Sequence, residues 1–193
     1  MRESKQSLRA VSGSVVDRRI RRSRAALTAA LTELTFERGF SGIKPEDVAA
    51  RADVGRSTLY SHFSGLDDLL AQSLDRHLLI LAECTLKPEM DAALVNVARH
   101  FWEQRAVART ILQGETGRAI ARLLELRLEE ALVELRRSLK SAAALPASLV
   151  AAQLAAGILA VLSAWLARRA PASPDNIAKL LHGTSYAAAI AAL

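Results

Sequence analysis

Hydrophobic residues between positions 45 and 63 recur at helical spacing in two short stretches separated by a tight turn. Asp53 falls at that turn, where a left-handed backbone is often needed and a short polar side chain is tolerated. The pattern predicts a helix-turn-helix, whose second helix crosses the first at about 90–120°. The positions expected to face inward are Val48, Ala49, Ala52, Val54, Leu59 and His62.

Helical periodicity continues along most of the remaining chain, and strand-like alternation is hardly visible. Residues 1–16 are polar and Ser-rich, which predicts a disordered arm. We expect an all-α protein with a three-helix helix-turn-helix head over residues 17–64 and a larger helical domain over 65–193. Helices are predicted from Asp17 to Gly39, from Gly65, from Pro88 to about Arg105, over 106–113, from Arg118 to about Lys140, from Pro146 to about Arg169, and from Ser173.

The outward face of the second short helix is polar. It carries donors, acceptors and one aromatic ring, which suit base edges and phosphates in a major groove. Arg56 and Thr58 are the candidates for base edges, and Tyr60 for phosphate or sugar. His62 fits a backbone contact and a structural helix end equally well. The full predicted set on this helix is Arg56, Ser57, Thr58, Tyr60, Ser61 and His62.

Positive charge is concentrated at one end of the chain. Residues 1–24 hold eight Arg or Lys against Glu3 and Asp17, and this excess equals the net charge of +6 of the whole chain. Such a concentration beside a helix-turn-helix predicts a polyanionic partner, double-stranded DNA. We expect Arg18 and Arg22 at phosphates, with a solvated face as the alternative, and Lys44 as a further point charge.

The segment Thr58-Leu59-Tyr60-Ser61-His62-Phe63, followed by a Leu-rich helix, resembles the TetR family of bacterial transcriptional repressors, which carries a Tyr-x-His-Phe signature. The resemblance covers residues 18 to about 81, and the rest only in length and layout. It implies a cytoplasmic homodimer that binds a palindromic operator and responds to a small-molecule effector. Lys44 replaces the family's hydroxyl cap, and Leu66 replaces a Lys that often contacts phosphate.

Residues 149–167 form an apolar run interrupted only by Gln153 and Ser163. Its length meets the criterion for a membrane span, so a membrane-tethered DNA-binding or adaptor protein is the alternative. Small residues at every fourth position favour close helix packing instead. The resemblance places a dimer interface here, and no membrane is then expected. The predicted interface residues are Ala152, Ala156, Ala160, Ala164, Trp165 and Leu181.

Chemistry in the C-terminal domain is less defined by the sequence. The candidate effector residues are Leu94, Phe101 and Trp102, with Arg105 as a possible anion partner, although a plain hydrophobic core explains each of them. The four histidines lie on separate predicted helices without metal-ligand spacing, and no phosphate-binding loop occurs, so no enzyme, metal or cofactor is expected.

Two single side chains in this domain could carry chemistry of their own. His77 lies on an apolar helix face and is interpreted as a core histidine rather than a ligand. Cys84 is the single cysteine, which excludes an intramolecular disulfide and is typical of a reducing cytosol. An inert thiol and a redox sensor are both open for it, with the inert thiol favoured.

Overall fold

The computed structural model describes residues 3–141 and 145–193, and the fold is all-α, as predicted. A 3₁₀ turn at Phe40–Gly42 joins the first two helices. The helices are α1 (Glu3–Arg38), α2 (Pro45–Arg51), α3 (Arg56–His62), α4 (Leu66–Thr85), α5 (Ala92–Glu103), α6 (Arg105–Ile111), α7 (Gly114–Leu139), α8 (Ala147–Leu166) and α9 (Pro174–Ala191).

The chain forms two compact units, Met1–Leu70 and Ala71–Leu193, which we call the head and the body. Helices α1, α2 and α3 pack against one another in the head, and α4 begins there. The core of the head contains Leu27, Leu31, Val48 and Leu59, all nearly inaccessible to solvent. The domain boundaries and roles expected from the sequence stay predictions.

The local signals of the helix-turn-helix are confirmed. Pro45 occupies the first position of α2, where its missing N–H leaves no hydrogen bond unmade. The preceding Lys44 N–H donates to Asp47 Oδ2 at 2.9 Å. Asp53 has a φ of 52°, the left-handed conformation expected at the turn. The two helices are therefore separated by a defined turn rather than by a flexible loop.

Helix α1 begins much earlier than expected. The sequence pattern predicts a disordered arm over 1–16 and an N-cap at Asp17, but α1 runs from Glu3, so Asp17 lies inside the helix. No proline precedes Pro45, and the lone Gly13 costs a helix only about 1 kcal/mol, so no residue here forces a break. The helix ends as predicted before Gly39, whose φ is 77°.

The body is built mainly from α5 to α9 and most of α4. Helix α7 packs along α8, and α9 packs against both α5 and α8. Helix α7 begins at Gly114, before the predicted start at Arg118. A Cβ on Gly117 would lie 2.3 Å from the Leu112 carbonyl oxygen, so glycine permits this early start. Leu139, predicted to face inward, is 53% exposed, whereas Leu132 is buried.

Helix α8 is long and apolar enough to span a membrane, but much of it lies inside the body. Of its most apolar window, 44% is buried. The buried side belongs to the same hydrophobic core as α7 and α9. A lipid-embedded α8 would have to leave this core, so the fold weighs against the membrane-tethered alternative. The buried residues of α8 are Val150, Ala151, Leu154, Ala155, Ile158, Leu162, Trp165 and Leu166.

Candidate DNA-binding surface and effector cavity

Helix α3 presents a polar face to solvent because its opposite side is anchored in the head. Leu59 is fully buried, and Phe63, directly after the helix, is 3% exposed. At 100° per residue, positions 57, 60 and 61 lie about 100–160° away from Leu59 and face outward, whereas Arg56 lies only about 60° from Leu59 and is exposed at the first residue of the helix. All four are exposed, and Tyr60 retains 55% of its accessible surface. Arg56, Ser57, Tyr60 and Ser61 therefore form the outward face of α3.

The other two predicted residues of α3 lie at the flanks of this face. Thr58 and His62 are both half-buried. The His62 ring meets Phe63 edge to face, with ring centroids 6.3 Å apart. Ser61 Oγ donates to the Thr58 carbonyl oxygen at 2.8 Å, so this hydroxyl already has one partner within the helix. The geometry gives Thr58 less reach toward a base edge than Arg56 has.

The basic residues predicted outside α3 are also exposed. Arg18 and Arg22 lie on the solvent side of α1, and Lys44 is exposed immediately before α2. Nearby, the Arg24 guanidinium sits 5.1 Å from the centre of the Phe63 ring. This cation–π contact joins α1 to the end of α3. The head thus combines an exposed polar helix with exposed cations.

Three ion pairs join α1 to α2, namely Arg51 with Glu37, Arg51 with Glu33 and Arg38 with Asp47, and the sequence pattern does not predict them. Arg51 reaches both carboxylate oxygens of Glu37, at 2.8 and 2.9 Å, and Arg38 lies 2.6 Å from Asp47 Oδ2. The hydrogen bond from Arg51 lowers the pKa of the Glu37 carboxyl, and the Lys44 backbone N–H is the main cause of the lowered pKa of Asp47. Helical spacing gives no signal for such pairs because they join different helices.

A small apolar cavity lies within the body, and we call it the effector cavity. Its volume is about 20 Å³, room for little more than one water molecule. Every lining side chain is aliphatic or aromatic, so the cavity offers no charge. The described walls are Leu74, Leu78, Leu81, Phe101, Ala108, Ile111, Leu112, Ile120, Leu159, Leu162 and Leu166.

The four predicted effector residues do not form one site. Phe101 lines the effector cavity, whereas Leu94 is fully buried in the core and is not among the described walls. Trp102 stacks on Trp165 with ring centroids 4.9 Å apart, and the Arg105 guanidinium lies 5.6 Å from the Trp102 ring. The structure therefore separates the cavity from an aromatic cluster beside it.

Residues 27–72 match the family model for bacterial regulatory proteins of the TetR family. This stretch includes Lys44, α2 and α3, and it excludes Arg18 and Arg22. This match assigns the segment 27–72 to the TetR family. No curated protein sequence matches the chain.

Solved structures of regulators share the fold. A TetR transcriptional regulator from Streptococcus agalactiae 2603V is 23% identical, with 90% of this chain and 98% of that chain covered and a TM-score of 0.56. The dihydroxyacetone kinase operon activator DhaS is 18% identical, with coverages of 86% and 94% and a TM-score of 0.55. NalD, the secondary repressor of the MexAB-OprM multidrug efflux pump in Pseudomonas aeruginosa, is 19% identical, with coverages of 88% and 97% and a TM-score of 0.55.

The predicted dimer surface of the body is partly exposed. Ala156 and Ala160 face solvent on α8, whereas Ala152 and Ala164 are half-buried beside them. Trp165 and Leu181 are each only 1% exposed, so they lie in the core of the body and not on its exposed surface, which weighs against their predicted place at the interface. Their large apolar side chains fill the core of a single protomer. Helix α9 adds its own exposed positions, including Leu180, Gly183, Ala187 and Ile190.

Two further observations concern the cysteine and the potential metal ligands among the described residues. Cys84 is buried, and burial raises the pKa of its thiol, which disfavours the reactive thiolate. Among the side chains that the structure describes, no group of three or more His, Cys, Asp or Glu suits a metal ion.

Proposed function

We propose that this protein is a cytoplasmic, homodimeric transcriptional repressor that binds a near-palindromic operator and responds to a small molecule. The observation that carries the proposal is the outward face of α3. Arg56, Ser57, Tyr60 and Ser61 are exposed there on a helix whose other side is held by Leu59. A helix of this kind can enter a major groove without disturbing the core of the head.

The side chains of this face differ in what they can read. The Arg56 guanidinium has the planar donor pattern that matches the O6 and N7 acceptors of guanine. The Tyr60 hydroxyl suits a phosphate or sugar, which positions the helix without selecting a sequence. Arg18, Arg22 and Lys44 supply exposed cations for the DNA backbone. Arg56 is therefore the principal base reader in the proposal.

Dimerisation is proposed through the outward faces of α8 and α9. Ala156, Gly157 and Ala160 on α8 and Gly183 and Ala187 on α9 are exposed and small, so the helices of two copies can approach closely. Leu149, Leu180 and Ile190 add exposed apolar surface beside them. A twofold dimer places two copies of α3 in successive major grooves, about 34–36 Å apart, and this symmetry requires a near-palindromic operator.

The effector is proposed to act through α4, which contributes Leu74, Leu78 and Leu81 to the effector cavity and begins four residues after α3 ends. A ligand that binds one arrangement of α4 more tightly than another shifts the protein toward that arrangement. The resulting change in the free energy of operator binding is limited by the difference between the ligand's two binding free energies, typically about 1–3 kcal/mol. DhaS is named an activator and NalD a repressor, so fold does not decide the sign. Repression needs only that the bound dimer block a promoter.

The test is selection from a pool of randomised DNA duplexes with the purified full chain, with sedimentation velocity on the same preparation. We expect a dimer and an enriched inverted repeat. A preparation that enriches no sequence contradicts DNA reading. A monomer that enriches one unrepeated site contradicts the homodimer but keeps the DNA-binding assignment.

A further inference from the structure

One polar side chain, His77, contacts a wall residue of the effector cavity without being one of the described walls. On α4, His77 lies three residues after Leu74 and four before Leu81, which places it on the helix face that carries these wall residues. Its imidazole also contacts the wall residue Phe101, with ring centroids 5.8 Å apart. His77 is therefore next to the cavity, although the cavity walls themselves are entirely apolar.

His77 has an unmet hydrogen bond. Its Nδ1 atom is inaccessible to solvent and has no hydrogen-bond partner among the described residues. The ring is held in place by stacking on His100, with centroids 4.8 Å apart and planes 10° apart. A buried polar nitrogen left unpaired is costly, and the interpretation of His77 as a satisfied core histidine does not fit this geometry.

The imidazole is set up to act as a neutral group. Burial lowers the pKa of His77, and the neighbouring His100 and Arg76 lower it further. At neutral pH one ring nitrogen then carries a proton and the other accepts a hydrogen bond. A partner for Nδ1 needs a single donor or acceptor and no charge.

We propose that the effector is a small, uncharged, largely apolar molecule with one hydrogen-bonding group, and that His77 Nδ1 recognises this group. The inference rests on the proposed function, because it assigns the effector to this cavity. The aliphatic walls favour an apolar body and leave a charged group unpaired, which burial penalises heavily. Since the cavity has a volume of only about 20 Å³, the ligand must displace wall side chains such as Phe101 to enter.

Three bicyclic probes of the same shape separate the hydrogen bond from apolar burial. Indole carries a donor, benzofuran an acceptor and indene neither, and each is titrated into the full chain by calorimetry. We expect indole or benzofuran to bind about 5- to 100-fold more tightly than indene, because indene leaves Nδ1 unpaired. Whichever of the two is preferred identifies the tautomer of His77.

The variant His77→Phe keeps an aromatic ring in the stack and removes both nitrogens. We expect it to bind all three probes within about twofold of one another. His77→Asn restores a polar atom near Nδ1 and is expected to restore the preference. His100→Phe is the matched control, since His100 is exposed and its ring contacts His77 and Phe101 through stacking and tilted packing that a Phe ring keeps, and it should retain the wild-type preference.

Three results overturn the inference: equal binding of the probes by the wild type, a preference that persists in His77→Phe, or no binding of any probe up to its solubility limit. Operator affinity with and without the saturating preferred probe separates the two proposals. A response that is present in the wild type and lost in His77→Phe supports both. Operator binding without any probe preference keeps the proposed function and overturns the assignment of His77. Probe preference without operator binding keeps the assignment of His77 and overturns the proposed function.

Discussion

In the head, the candidate DNA-reading side chains stand on an exposed helix face, whereas in the body only one candidate effector residue, Phe101, lines a cavity, whose volume is about 20 Å³. Arg56 and Tyr60 need no rearrangement to meet a partner. Phe101 and the leucines around it must move before a ligand fits. A surface that binds the DNA groove can have its binding shape already in the free protein. A cavity that binds an effector can instead take its binding shape only when the ligand enters.

The largest expected effect comes from disrupting the proposed dimer, which separates the bodies of its two protomers. Replacing both Ala156 and Ala160 with Trp would overpack the exposed stripe of α8, at about 1–3 kcal/mol per site, and yield a folded monomer. Loss of the second head should weaken operator binding by about 10²- to 10⁴-fold. Sedimentation velocity and gel shifts measure the two effects. Arg122→Trp, an equally bulky change at an exposed position of α7, is the control and should stay dimeric.

Within the head, Arg56→Ala and Tyr60→Ala are expected to differ in kind. Removing the Arg56 guanidinium should cost about 1–3 kcal/mol and relax the preference at one operator position per half-site, because a base edge is no longer read. Removing the Tyr60 hydroxyl and ring should weaken binding to all sequences alike. Repeating the DNA selection with each variant checks this, and an unchanged preference in Arg56→Ala would remove Arg56 as a base reader.

A smaller effect is expected from the exposed cations of α1. If Arg18 and Arg22 meet phosphates, the double change to Gln should reduce the slope of log K against log salt by about 0.9 for each phosphate that is no longer neutralised in a protomer. Fluorescence anisotropy over a salt series measures the slope. Arg122→Gln, on the body, should leave the slope unchanged. A wild-type slope in the double variant would indicate that Arg18 and Arg22 are solvated and do not contact phosphates.

The smallest effect concerns the ion pairs between α1 and α2. The pKa values of Glu37 and Asp47 are lowered in the folded head, so their stabilising contribution is present at neutral pH. It is lost as pH falls below the ordinary carboxyl range of about 4 and through the lowered values. The protection factors of residues 45–51 against hydrogen exchange, corrected for the intrinsic rate at each pH, should therefore fall in acid, and less so in Arg51→Gln. If the wild type and Arg51→Gln were equally sensitive to acid, the ion pair between Arg51 and Glu37 would not contribute to the stability of the head.

The same contrast explains what could be predicted from the sequence. The inward positions Val48, Ala49 and Leu59 and the turn at Asp53 rest on local spacing, so the helix-turn-helix is predictable in detail. The start of α1 is not predictable in this way. No proline lies between Glu3 and Asp17, so no residue there marks where a helix must stop or begin. For a long apolar helix, composition alone does not tell a core face from an outward face.

The body shows this second limit most clearly. The sequence places Trp165 on a dimer surface because it follows the alanine stripe, but it is buried in the core of the body and stacked on Trp102. The apolar neighbours of His77 predict a core histidine, and only the three-dimensional packing reveals an Nδ1 without a partner among the described residues, on a ring that contacts the cavity wall residue Phe101. Contacts between helices distant in sequence decide both cases.

The most direct test of the account is a half-site spacing series on the selected operator. Two copies of α3 held by one dimer must reach successive major grooves on the same side of the duplex. Inserting about five base pairs, half a helical turn, between the half-sites should abolish the tight complex while each half-site keeps only weak binding. Tight binding that is indifferent to the insertion would contradict a dimer that reads DNA through paired α3 helices.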